Sequence, residues 1–94
     1  MNELMKRYLS DLKIKNFMEL SQLENYQGEK IIHNKKSYTI SIWKDMINNN
    51  ELHIVVQIYR YWFLGIGKME ADGFKINRDG NISDLTKKEL YEFI

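Results

Sequence analysis

Hydrophobic positions are densest from Leu52 to Phe63, LHIVVQIYRYWF, where apolar, β-branched and aromatic residues are interrupted only by single polar ones. Read at period two, Leu52, Ile54, Val56, Ile58, Trp62 and Leu64 fall on one side, broken by Arg60. His53, Val55, Gln57, Tyr59, Tyr61 and Phe63 fall on the other. The even-numbered side is aliphatic and suits a core beneath helices. The odd-numbered side is mostly rings with polar tips, which can sit half in water. A strand apolar on both faces belongs at the centre of a sheet. At about twice the usual strand length of roughly five to six residues, it also requires strong twist or a bulge.

Before this strand the pattern is helical and then alternating. Leu4, Met5, Tyr8, Leu9 and Leu12 form a stripe at helical spacing, with Glu3, Lys6, Arg7, Asp11 and Lys13 off it, which predicts a helix over 3–13. Asn16 with Glu19 three residues on makes a capping box for a second helical segment carrying Phe17, Leu20 and Leu23. The two segments are either one kinked helix or two short ones, with Gly28 as the C-terminal glycine. From Glu29 the period becomes two. Residues 30–33 read as a short strand, Asn34-Lys35-Lys36 as a turn in which Asn takes φ > 0, and 37–46 as the returning strand. In it Tyr38, Ile40 and Ile42 face one way and Thr39, Ser41 and Trp43 the other. Asn48-Asn49-Asn50 is the next turn.

After the central strand, Leu64-Gly65-Ile66-Gly67 reads as a hairpin bend, followed by a strand over 68–77. The apolar positions there change parity, from Met69 and Ala71 to Phe74 and Ile76. A one-residue bulge at Asp72-Gly73 would return all four to one face; the competing reading is a two-residue hairpin turn at the same place. Asp79-Gly80 is a turn into a short strand around Ile82. Thr86 with Glu89, flanked by Leu85 and Leu90, satisfies both the capping box and the hydrophobic staple of a final helix, whose Leu90, Phe93 and Ile94 are available for docking. The expected fold is α+β: an N-terminal helix or helix pair, a four- to five-stranded antiparallel meander sheet and a C-terminal helix, in one domain spanning 1–94.

Charge and composition narrow the function classes. Fourteen basic and thirteen acidic side chains nearly cancel, which removes the strong basic excess expected of a nucleic-acid binder. The absence of cysteine excludes disulfides, zinc–thiolate sites and thiol nucleophiles. The first thirteen residues carry charges throughout and do not form a signal peptide, and no window has the ~20 apolar residues that span a bilayer. A cytoplasmic protein is expected. Heavy use of Ile, Lys and Asn with no Pro points to an AT-rich bacterial or phage genome.

The motifs that could carry chemistry fail on spacing. Gly65-Ile66-Gly67 lacks a third glycine, a following Lys-Ser/Thr and a helix, so it is no phosphate loop. With Gly80 as the sixth residue of a calcium loop, Lys75 and Thr86 occupy the first and twelfth places, where carboxylates are required. His33 and His53, with Glu51 nearby, have no spacing that brings them to one metal. Asp45, Glu51, Glu70 and Asp72 show no pairing that demands an acid–base site, and no serine lies in a nucleophile elbow. The reading is therefore a protein that is not an enzyme and needs no metal or cofactor.

The rings remain. Tyr59, Tyr61 and Phe63 repeat along one strand face, with Trp43 joining them across the hairpin and Arg60 beside them. Either the N-terminal helix covers this face, or it is a partly exposed patch of the kind that binds proteins or stacks on bases. The patch reading makes Trp43, Tyr59, Tyr61, Phe63 and Arg60 the binding residues of a small bacterial or phage protein of immunity, inhibitor or regulatory type, joined to a protein partner or to a second copy of itself. The alternative is a nucleic-acid module using Arg60, Lys68 and Lys44 around the rings. The element order is similar, in topology only, to double-stranded RNA-binding domains, but the final helix opens with no basic cluster beyond Lys87 and Lys88.

Overall fold

The computed structural model describes residues 2–63 and 66–91, and the side chains of Asn2, residues 61–63, Ile66 and Tyr91 are outside that description. Helix α1 (Asn2–Lys13) is followed by α2 (Phe17–Ser21), then strands β1 (Tyr26–His33), β2 (Lys36–Asn48), β3 (Glu51–Phe63), β4 (Ile66–Asn77) and β5 (Ile82–Asp84), and helix α3 (Lys87–Tyr91). The fold is α+β, with the five strands in one open antiparallel meander, in chain order.

The local signals act where they stand. Asn16 Oδ1 accepts from Glu19 N–H at 2.8 Å and Glu19 Oε1 accepts from Asn16 N–H at 3.2 Å, closing the capping box of α2. Thr86 and Glu89 do the same for α3, at 2.9 and 3.2 Å. The β1–β2 turn puts two non-glycine residues, Asn34 and Lys35, at positive φ (52° and 64°), the geometry that matches hairpin twist.

Both N-terminal helices lie on the even-numbered face of β3. Leu4, Met5, Leu9, Leu12, Phe17 and Leu20 pack there with Leu52, Ile54, Val56 and Ile58 of β3, Tyr38 and Ile40 of β2, and Phe74 and Ile76 of β4. Lys44 projects from the same face and donates from Nζ to the Ser21 carbonyl at 2.8 Å, tying the end of α2 to β2. Arg78 reaches under the sheet end to the Asn49 carbonyl and over the Phe17 ring.

Two expectations are corrected. Gly28 does not end α2, which stops at Ser21 with Gln22 as its cap; Gly28 lies inside β1, which starts four residues earlier than its alternation showed. Asp72-Gly73 is neither a bulge nor a turn: β3 and β4 pair continuously from Glu51↔Asn77 to Tyr61↔Gly67, and the register shift falls between Tyr61 and Phe63. Met69 and Ala71 therefore face the rings while Phe74 and Ile76 face the core. Gly73 marks a close approach of backbones, since a Cβ there would strike the Ile54 carbonyl oxygen and stand 3.1 Å from Val55 Cα. Of the two alternatives for the ring face, cover by the N-terminal helix does not occur among the described residues, since α1 and α2 pack on the even-numbered side. The expected bend at Leu64-Gly65 and the docking of Phe93 and Ile94 lie outside the described residues.

Candidate functional site

The ring face is built from alternate residues of four strands. Trp43 of β2 stands between Tyr26 of β1 and Val55 of β3, and Tyr59 of β3 stands between Thr39 of β2 and Met69 of β4. Two tyrosines lie down over glycines. A Cβ on Gly28 would stand 2.5 Å from the Tyr26 hydroxyl oxygen, and one on Gly67 would stand 2.6 Å from Tyr59 Cζ. A ring laid across a glycine covers backbone that a side chain would otherwise shield, so the rings are held flat instead of standing free.

Polar tips fix this layer. Trp43 donates from Nε1 to Gln57 Oε1 at 3.0 Å, and the Tyr26 hydroxyl is 3.3 Å from Ser41 Oγ. The Tyr26 and Trp43 ring centroids are 4.5 Å apart and tilted by 50°, a contact at the near end of the aromatic-pair range. The result is an aromatic–amide surface with fixed donors and acceptors.

Among the described residues, helix α3 covers one end of it. Val55 is fully buried on this face, and the Leu85 side chain closes over Gly73, 3.0 Å from where a Cβ would be. His53 and Lys75 lie under α3 beside Glu89. Away from that end the cover stops: Tyr26 is 47 % exposed, Met69 38 % and Ile32 79 %, with Trp43 and Tyr59 half-buried between them. Lys30, Ser37 and Thr39 continue the same face toward the β1–β2 turn beside a shallow hollow that Ile32 also lines.

Of the residues singled out from sequence, Trp43 and Tyr59 share this face, four positions apart across the β2–β3 pair. The side chains of Tyr61 and Phe63 are outside the described set; the backbone alternation that aligns Tyr59 with Tyr61 is interrupted before Phe63. Arg60 belongs to the opposite, even-numbered set, where its register partner is Lys68. Tyr26 and Met69 join the surface although neither is among the candidate residues read from sequence. Tyr26-Gln27-Gly28 has the alternation of a strand, but Gly28 taken as a helix end hid it. The bulge reading puts Met69 on one face with Phe74 and Ile76, which the structure shows to be core.

Among the described residues no group of three histidine, cysteine or acidic side chains is placed to hold a metal ion, and no helix is long and apolar enough to cross a membrane. Comparison of the chain with models of protein families, with curated proteins and with solved structures gives no match in any of the three. What the surface does has to be read from its own residues.

Proposed function

We propose that this is a non-enzymatic binding protein of the bacterial or phage cytoplasm, of immunity, inhibitor or regulatory type, and that it binds a protein through the half-covered ring face formed by Tyr26, Trp43, Tyr59 and Met69. The observation that carries this reading is the division of labour among the helices. Among the described residues, two N-terminal helices take the aliphatic face and one short helix takes the His53–Val55–Gly73 end of the other, with Tyr26, Met69 and Ile32 exposed. Rigid rings with satisfied polar edges are what protein interfaces enrich, because they offer large contact area at low entropy cost. A second copy of the chain is one partner this face could take, by a two-fold contact in which the patch covers itself.

The nucleic-acid reading loses its cations. Lys44 is engaged with the Ser21 carbonyl on the helix-covered face, and Arg60 and Lys68 are register partners in the same even-numbered set, so none of the three flanks the rings. The basic residues that do share the face are Lys30 at its open end and Lys75, which lies under α3 beside Glu89.

The test compares capture from a host lysate by the wild type, by Tyr26→Ser/Met69→Ser and by Lys68→Ser, at low and high salt, with sedimentation of each. The reading requires one protein, or the chain itself, to be held by the wild type and by Lys68→Ser, lost by the double variant, and little affected by salt. Truncating aromatic anchors costs on the order of 2 kcal/mol each at a hot spot. Equal capture by the double variant, or affinity that collapses with ionic strength as phosphate contacts do, refutes it.

A further inference from the structure

The element that limits the ring face is α3, and the sheet residue beneath it is His53. Its side chain is 8 % exposed, and Nε2 is sealed from solvent without a hydrogen-bond partner. Two carboxylates stand just short of bonding: Glu51 Oε1 on β3 and Glu89 Oε2 on α3, each 3.6 Å from Nε2. Asp45 on β2 and Lys75 on β4 are its direct register partners, and Lys75 Nζ is 3.6 Å from Glu89 Oε1. Lys87 and Lys88 on α3 are exposed. Three carboxylates and one ammonium thus surround one imidazole from its own strand, both neighbouring strands and the helix above.

We propose that His53 is a proton-operated clasp that fastens α3 to the sheet. Protonation makes both ring nitrogens donors. A carboxylate movement of under about 1 Å then closes the 3.6 Å gap from Nε2 to Glu89 Oε2 to the roughly 2.8 Å of a charge-assisted bond that holds the helix, while Glu51, equally distant from the same nitrogen, adds the attraction of its charge. Glu89 is fit for this role. Its carboxyl is held below the usual carboxylate range, first by the Thr86 backbone N–H and then by the Thr86 hydroxyl, Lys75 and His53, so it stays charged where imidazoles titrate. With His53 neutral, the ring has no charge with which to draw in the two carboxylates, Nε2 keeps the unbonded geometry seen here, and among the described residues α3 is held by its cap, by Leu85 and by Lys75. Acid therefore tightens the cover over Val55 and Gly73, and mild alkali loosens it. This holds whatever the ring face binds.

Glu89→Gln separates the clasp from the helix cap, because glutamine serves equally at the third position of a capping box. The readout is amide exchange at Leu90, whose N–H bonds the Thr86 carbonyl at 3.0 Å, corrected for the intrinsic rate at each pH. The wild type should show about tenfold higher protection at pH 5 than at pH 7.5, the factor of one charge-assisted bond. Glu89→Gln should be folded and flat to within about twofold, while His33→Gln, altering the other histidine on β1, should keep the full dependence. His53→Gln, if folded, should also be flat. Protection that does not change with pH in the wild type, or a full dependence that survives in Glu89→Gln, overturns the clasp.

Discussion

Trp43 and Gln57 are joined across the β2–β3 ladder by a 3.0 Å bond from the indole N–H to the amide oxygen, on the diagonal between the direct pairs Trp43↔Val55 and Ser41↔Gln57. The bond locks the largest ring of the open face to a strand that is core on its other side. Surface chemistry and sheet order are thereby coupled.

Trp43→Phe keeps an aromatic body but removes the donor. The expected loss is about 1 kcal/mol, with the fold intact, since one net hydrogen bond contributes roughly 0.5–1.5 kcal/mol. Urea denaturation gives the value; a loss beyond about 3 kcal/mol would mean that Trp43 is core and that the face is not a surface.

Ile54 and Val56 are fully buried at the centre of the helix-covered side. Ile54→Asp or Val56→Asp places an unpaired charge where no solvent reaches, at several kcal/mol, comparable to the whole stability of a domain this small. Neither variant should show a cooperative melt by circular dichroism. A wild-type-like transition in both would mean that β3 is not the central strand.

Two glycines should respond differently to the same methyl group. Gly73→Ala drives a Cβ into the Ile54 carbonyl and against Leu85, and needs β3 or α3 to move. Gly80→Ala meets open space and carries only the strain of φ +87°. The expected costs are about 1–3 kcal/mol or more for the first and about 1–2 kcal/mol for the second. Thermal melts rank them, and Gly73→Ala should also lower Leu90 protection, because Leu85 leads into α3.

Tyr8 gives a pH signature in the alkaline range. Burial, then its 2.5 Å hydrogen bond to Glu29 Oε1 and the charge on Glu29, push the phenol up from 10.0 to about 12. The folded protein holds this proton more tightly than the unfolded chain, so the contribution is complete below pH 10 and is lost as the pH rises toward 12. Stability measured across that window should fall for the wild type and be flatter for Tyr8→Phe. At the acid end the sign reverses: the lowered carboxyl of Glu89 contributes stability at neutral pH that disappears as the pH falls through its folded value. Identical slopes for Tyr8→Phe and wild type between pH 10 and 12 would rule out the Tyr8–Glu29 account.

By itself the sequence determined what is local. The amphipathic stripe of α1, the boxes Asn16–Glu19 and Thr86–Glu89, the turn at Asn34 and the alternation of Tyr38, Ile40 and Ile42 each rest on residues within one or two turns of one another, and each stands in the structure as read. Only the tertiary structure decided how each side of β3 is covered. Its alternation makes the even-numbered side the better core, being aliphatic, but with both faces apolar it leaves open whether helices cover the other side as well. The choice comes from the partners that register brings alongside: Tyr38, Ile40, Phe74 and Ile76 join the even-numbered side, while Thr39, Ser41, Ala71 and Gly73 join the odd. The same non-local pairing laid Tyr59 over Gly67 and put Lys44, Arg60 and Lys68 away from the rings. It also brought Glu89 to His53 from 36 positions along the chain. Periodicity shows that a residue has a face; pairing partners from distant segments decide whether that face meets helix or water.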